Sequence, residues 1–141
     1  MPDSTKKQVR ELELDAVSYS KIGHHSKAES TIKKALELKP RSNHLNHELA
    51  KIHLRSKQYE KALEILHTLS NKTKNREILF KDIGLSYFGM GKLEKALEAS
   101  DVSLSEKQDY VEALALKGKS LRELERYDEA FVVLDKALSK D

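Results

Sequence analysis

Residues 80–96 read FKDIGLSYFGMGKLEKA. Gly84 and Ala96 lie twelve apart in this stretch, and both positions recur at a fixed step of 34 residues. The first column is Ala16, Ala50, Gly84 and Gly118, and the second is Ala28, Ala62, Ala96 and Ala130. One aligned alanine column could be coincidence. Two small-residue columns in phase through four copies make the chain an array of one repeated unit.

The pattern between these markers is helical. Leu45, Leu49 and Ile52 follow an i, i+4, i+7 stripe, and Leu63, Leu66 and Leu69 form a tighter one. No segment alternates with period two, and neither proline, Pro2 or Pro40, falls inside a stripe. Gly23 and Gly91 sit where a left-handed residue can end the first helix of a unit, and Lys57 and Glu125 hold the equivalent place in the other two. Thr5 with Gln8, and Asp109 with Glu112, have the spacing of capping boxes at helix starts. The third unit places Ser100 and Ser103 where other copies carry Ile32, Leu66, Leu134 and Ala35, Leu69, Ala137. That interface is expected to be the softest seam of the array.

Each unit therefore reads as two helices joined by a tight turn, and the residues at these places resemble the tetratricopeptide repeat. The third copy supplies Phe80, Gly84, Tyr87, Gly91 and Ala96. The first supplies Leu12, Ala16, Tyr19, Gly23, Ala28, Ile32, Ala35 and Pro40. The fourth gives Leu114, Gly118, Leu121, Tyr127, Ala130, Leu134 and Ala137, and the second gives Leu49, Ala50, Tyr59, Ala62 and Leu66. The resemblance implies an all-α fold, a right-handed α-solenoid of four helix-turn-helix repeats in one domain. The repeats fall at about residues 6–41, 42–75, 76–109 and 110–141. No unit buries its apolar face alone, so stability comes from neighbouring interfaces.

Bulk properties narrow the functional classes. The 141 residues are 38% hydrophobic and 35% charged, a polar but foldable balance suited to a thin repeat array. There is no cysteine, which excludes disulfides and thiolate metal sites. No apolar run approaches the roughly 18 residues of a membrane span, and the N-terminal stretch has no apolar segment of a secretory leader. A cytoplasmic protein without membrane contact is the expectation. Basic side chains concentrate in residues 1–76 and acidic ones in 77–141. With a pI near 8.9 nucleic acid is a fair question, but no basic run occurs and none is expected as a partner.

No catalytic constellation emerges: there is no glycine-rich phosphate loop, no Gly-x-Ser-x-Gly elbow and no His-Glu-x-x-His. The chain is expected not to be an enzyme and to need no cofactor. His44 and His47 lie three apart with Glu48 four from His44, a spacing able to supply two or three metal ligands. No further ligand cluster accompanies them, so they read as a polar helix start and no metal is expected.

The resemblance places the first helices of successive repeats along a concave channel that binds peptides. Its middle combines His47, Lys51, Arg55 and Lys81 with Ile78, Leu85 and Phe88, and Lys119 and Arg122 extend it. A protein or peptide partner with acidic and hydrophobic residues would match. Some family members clamp a C-terminal carboxylate with Lys, Asn, Asn, Lys and Arg from three repeats. The matching places hold Glu13, Val17, Glu48, Ile78 and Asp82, or one repeat later His47, Lys51, Asp82, Glu112 and Leu116, and neither set makes that clamp. The rival expectation is a homo-oligomer. At the C-terminal end Phe131, Leu134 and Leu138, with Val132 and Val133 nearby, would lack cover, so the chain continues in a longer protein or packs on another copy. A regulatory segment of a larger signalling protein is a third expectation.

Overall fold

A computed structural model describes residues 2–139. The fold is all-α: among the described residues there are eight helices and no strand. They form two compact units, one ending at Leu69 and one beginning at Ser70.

The first unit holds α1 (Pro2–Lys21), α2 (His25–Leu38), α3 (Asn43–Arg55) and α4 (Tyr59–Leu69). Each helix packs on the next in sequence, and α1 also meets α3. The second unit repeats the plan with α5 (Arg76–Gly89), α6 (Leu93–Glu106), α7 (Val111–Glu123) and α8 (Tyr127–Leu138), and α5 meets α7.

The small columns explain this packing. Ala16, Ala28, Ala50, Ala62, Ala96 and Ala130 are buried, as are Gly84 and Gly118. A methyl or a hydrogen at these places lets paired helices approach closely, and a larger group would overpack them. A side chain added at Gly118 would collide with Leu134 of α8. In the first unit Val9, Ile32, Leu45, Leu49 and Ile52 surround Ala16, Ala28 and Ala35, with Leu12, Tyr19, Leu36 and Ile65 packed on them. In the second, Leu97, Leu121 and Ala130 form a cluster covered by Leu124 and Val133.

The turn inside each repeat is the same in all four. Gly23 (φ +87°), Lys57 (φ +64°), Gly91 (φ +77°) and Glu125 (φ +63°) take the left-handed conformation. The following amide then reaches back to the end of the helix: His24 N to Tyr19 O at 2.9 Å, Gln58 N to His53 O at 2.8 Å, Lys92 N to Tyr87 O at 2.9 Å and Arg126 N to Leu121 O at 2.9 Å. This is the Schellman closure, which satisfies carbonyls that a helix end leaves open. One lysine marks equivalent places in both units, with Lys27 over the Tyr19 ring at 5.1 Å and Lys95 over the Tyr87 ring at 5.5 Å.

Helix starts differ from expectation. Thr5 is not a cap, because α1 already begins at Pro2. Asp109 is not one either: Tyr110 holds the N-cap place of α7 and makes no side-chain cap bond. Thr5 lies inside a helical run and would cap only if the backbone broke there, whereas Asp109 lies in the turn before α7, one residue ahead of the N-cap place. The side-chain cap the sequence did not single out is Ser42, whose Oγ accepts from Leu45 N at 3.1 Å at the head of α3.

Ser100 and Ser103 of α6 are fully buried, yet both hydroxyls are satisfied. Ser100 Oγ donates to Leu97 O at 2.7 Å within its own helix, and Ser103 Oγ donates to Glu77 O of α5 at 2.7 Å. The seam loses apolar area as expected, and one of its two serines replaces that loss with a hydrogen bond between helices.

Candidate partner-binding faces

In the first unit the first helices of the two repeats, α1 and α3, meet directly, and polar side chains bridge them. Arg55 Nη1 donates to Ser20 Oγ at 3.2 Å, a link from α3 to α1. His44 Nε2 lies 2.5 Å from Glu13 Oε2. Lys51 is half-buried and its Nζ sits 3.1 Å from Glu48 Oε1, one turn earlier on α3. His47, also half-buried, lies on the same helix. Glu48 is the partner the sequence reading passed over; its i, i+3 spacing to Lys51 was the available signal.

In the second unit Ile78, Lys81, Leu85 and Phe88 recur at steps of three and four along α5, and all are half-buried. Lys81 Nζ pairs with Asp82 Oδ1 at 2.7 Å, and Asp82 is buried. A buried carboxylate of this kind needs its cation, so Lys81 is held in place more than it is offered to a ligand. Burial pushes the Tyr110 hydroxyl far above its ordinary pKa, reinforced by Glu112 and by the carboxylates of Asp82 and Glu77. Tyr110 is therefore a neutral donor at the head of α7. Lys119 and Arg122 stand exposed on α7, with no ion pair among the described residues.

At the end of α8 the apolar residues divide. Phe131 is 72% exposed and Leu138 71%, with Val132 beside them. Leu134 lies over Gly118, and Val133 packs onto the Leu97–Leu121–Ala130 cluster, so both are half-buried.

Family comparison agrees with this geometry. Two tetratricopeptide-repeat models match the chain, over residues 23–81 and 111–139, together more than half its length. The chain belongs to the tetratricopeptide repeat family. Solved structures of MamA share the fold. One MamA crystal structure superposes with a TM-score of 0.77 at 25% identity, covering 94% of this chain and 77% of that one. A MamA fragment from Desulfovibrio magneticus RS-1 gives 0.80 at 20% identity, covering 93% and 74%. A further MamA structure gives 0.76 at 24% identity, covering 98% and 75%. No curated protein sequence matches. A tetratricopeptide fold is a protein-interaction scaffold. None of its helices, among the described residues, is long and apolar enough to cross a membrane.

Proposed function

We propose that the chain is a non-enzymatic interaction module of the cytoplasm whose first-helix faces hold an extended partner segment. That segment carries acidic and hydrophobic side chains. The observation that supports this best is in the second unit. Ile78, Leu85 and Phe88 form an apolar stripe on α5, and the neighbouring α7 carries the exposed Lys119 and Arg122, which make no ion pair among the described residues. Apolar contacts of this kind supply most of the affinity, and cations at the rim speed encounter and fix register. In the first unit His47, Lys51 and Arg55 offer a more polar face. Lys51 and Lys81 contribute less than their charge suggests, since each is already paired with a carboxylate on its own helix.

The test is selection of peptides from a random library on the immobilised protein, followed by calorimetry on the winners. Acidic and hydrophobic residues should be enriched. The Lys119→Glu/Arg122→Glu double variant should weaken binding by about tenfold or more, the loss of roughly 1.4 kcal/mol, with helicity unchanged. Phe88→Ala should weaken it as well. Peptides whose binding ignores both variants would sink the reading.

A second reading rests on the exposed Phe131, Val132 and Leu138 of α8. Uncovered apolar side chains grouped on one helix favour association with another copy.

A further inference from the structure

We propose that Glu13, His44 and Glu48 form a binding site for a divalent first-row transition metal, with zinc as the reference ion. The inference goes beyond partner binding and concerns the first unit alone. His44 and Glu48 are four apart on α3, so both point from one face of that helix. α1 packs against α3 and brings Glu13 to the same place. One donor atom from each of the three lies within 4.8 Å of the other two. The two histidines of the motif do not both take part: Glu13, 31 residues upstream of His44, supplies the third donor instead of His47.

The donor set selects the class of ion. One imidazole nitrogen with two carboxylates suits zinc and its neighbours, whereas calcium takes six to eight oxygens and magnesium keeps most of its water. Bonds of about 2.0–2.2 Å put the donors of a tetrahedral site roughly 3–3.5 Å apart. His44 and Glu13 are already closer than that, at 2.5 Å. His44 is 67% exposed and can turn, while the Glu48 side chain is only 10% exposed and forms the fixed wall of the site. Glu13 and His44 also border an open hollow of about 260 Å³, through which water can complete the coordination.

Two features oppose the ion and set its affinity below that of a closed structural site. Lys51 occupies one oxygen of Glu48, although a carboxylate retains a second acceptor. Lys6, Arg10 and Lys39 line the same hollow and repel a cation. Binding at this place would clamp the first helix of one repeat to the first helix of the next. By mass action it would stabilise the folded unit.

The experiment is calorimetric titration of the full chain with zinc chloride at neutral pH, with a melting curve in zinc and in chelator. We expect one saturable site per chain and a melting temperature raised by zinc and restored by chelator. His44→Ala removes the imidazole ligand and should abolish both the saturable zinc binding and the rise in melting temperature that zinc produces, each variant being compared with its own metal-free melt. Glu13→Gln should do the same. The His24→Ala/His25→Ala variant, which removes the other close pair of histidines, should bind as the parent does. Absence of saturable binding, retention of binding in His44→Ala, or its loss only in the His24/His25 variant would each overturn the site.

Discussion

A methyl group added at Gly84 of α5 would stand 2.6 Å from Leu116 Cδ2 of α7. The carbonyl oxygen of Ala96, on α6, would be 3.3 Å away, so three helices converge on a residue with no side chain. Leu116 Cδ2 is the tip of a side chain, but that side chain is buried, so it yields only by repacking against its neighbours. Gly84→Ala gains roughly 1 kcal/mol of helix propensity and meets an overpacking cost of typically 1–3 kcal/mol. We expect a net loss of stability, seen as a lower urea midpoint at unchanged m-value. A variant as stable as the parent would mean that the three helices separate at little cost.

The inner turns make the opposite prediction. Lys57 and Glu125 carry side chains in the left-handed region, where two other repeats use glycine. That conformation costs an ordinary residue roughly 1–2 kcal/mol, and glycine gives back part of the gain through its freer unfolded chain. Lys57→Gly should therefore stabilise the protein by about 0.5–1 kcal/mol. Gly91→Ala should destabilise it for the same backbone reason, since open space surrounds a Cβ there and sterics make no contribution. Thermal melts of the two variants moving in the same direction would contradict this account.

The two buried serines of α6 separate by where their hydroxyls go. Ser103 donates across to α5, and Ser100 only to its own helix. Ser103→Ala removes a bond between helices and should cost about 1 kcal/mol. Ser100→Ala removes a bond within the helix and gains propensity, so it should be near neutral. Equal losses in denaturant melts would show that the α5–α6 link is not what Ser103 supplies.

These cases mark what the sequence made legible. Ala96 and its partners at a step of 34 fixed the helix pairs, because a small residue in a helix crossing leaves a regular trace. Gly23 and Gly91 disclosed the left-handed turns, and alignment carried that reading to Lys57 and Glu125. The pairing of Lys51 with Glu48 was visible as spacing. That of His44 with Glu13, or of Ser103 with Glu77, was not, since each joins helices some 26 to 31 residues apart through their packing. Thr5 and Asp109 misled for a related reason: capping depends on where the backbone turns, not on residue type alone. Leu134 looked uncovered in the pattern, but the absent side chain of Gly118 makes room beneath it.

Acid should loosen the first unit through His53. Its side chain is 5% exposed, and Nδ1 makes no hydrogen bond although it lies 3.5 Å from Glu29 Oε1. Burial holds the imidazole below its unfolded value of 6.5, against the pull of Glu29 and aided by Lys61 and Lys33. The unfolded chain therefore takes up a proton before the folded one as the pH drops. Stability from neutral His53 is complete above about pH 6.5 and is lost progressively below it. Glu29 adds a second, lower window. Its hydrogen bond from Lys33 keeps its pKa under 4.5, so its contribution is present above that pH and lost on further acidification. The melting temperature should fall between pH 7 and pH 5.5, and His53→Gln should flatten that fall. An equal slope in the variant would remove His53 as its source.

The end of α8 supplies the test of self-association. Phe131, Val132 and Leu138 are exposed, whereas Leu134 and Val133 are engaged within their own unit. Substitution at the first group should therefore alter association without touching the fold, and substitution at Leu134 should do the reverse. Burying a side chain such as Phe or Leu against another copy contributes roughly 1.5–3 kcal/mol, so the Phe131→Glu/Leu138→Glu pair should shift a dimer to monomer. Sedimentation equilibrium across a hundredfold range of concentration reads this directly. If the parent chain is a dimer that the double variant breaks while its melting temperature holds, the α8 face is the interface. A parent that stays monomeric throughout the range would remove self-association through α8. A dimer that survives the double variant would place the contact on another face, with the basic residues of the first unit and the acidic ones of the second as the next to exchange.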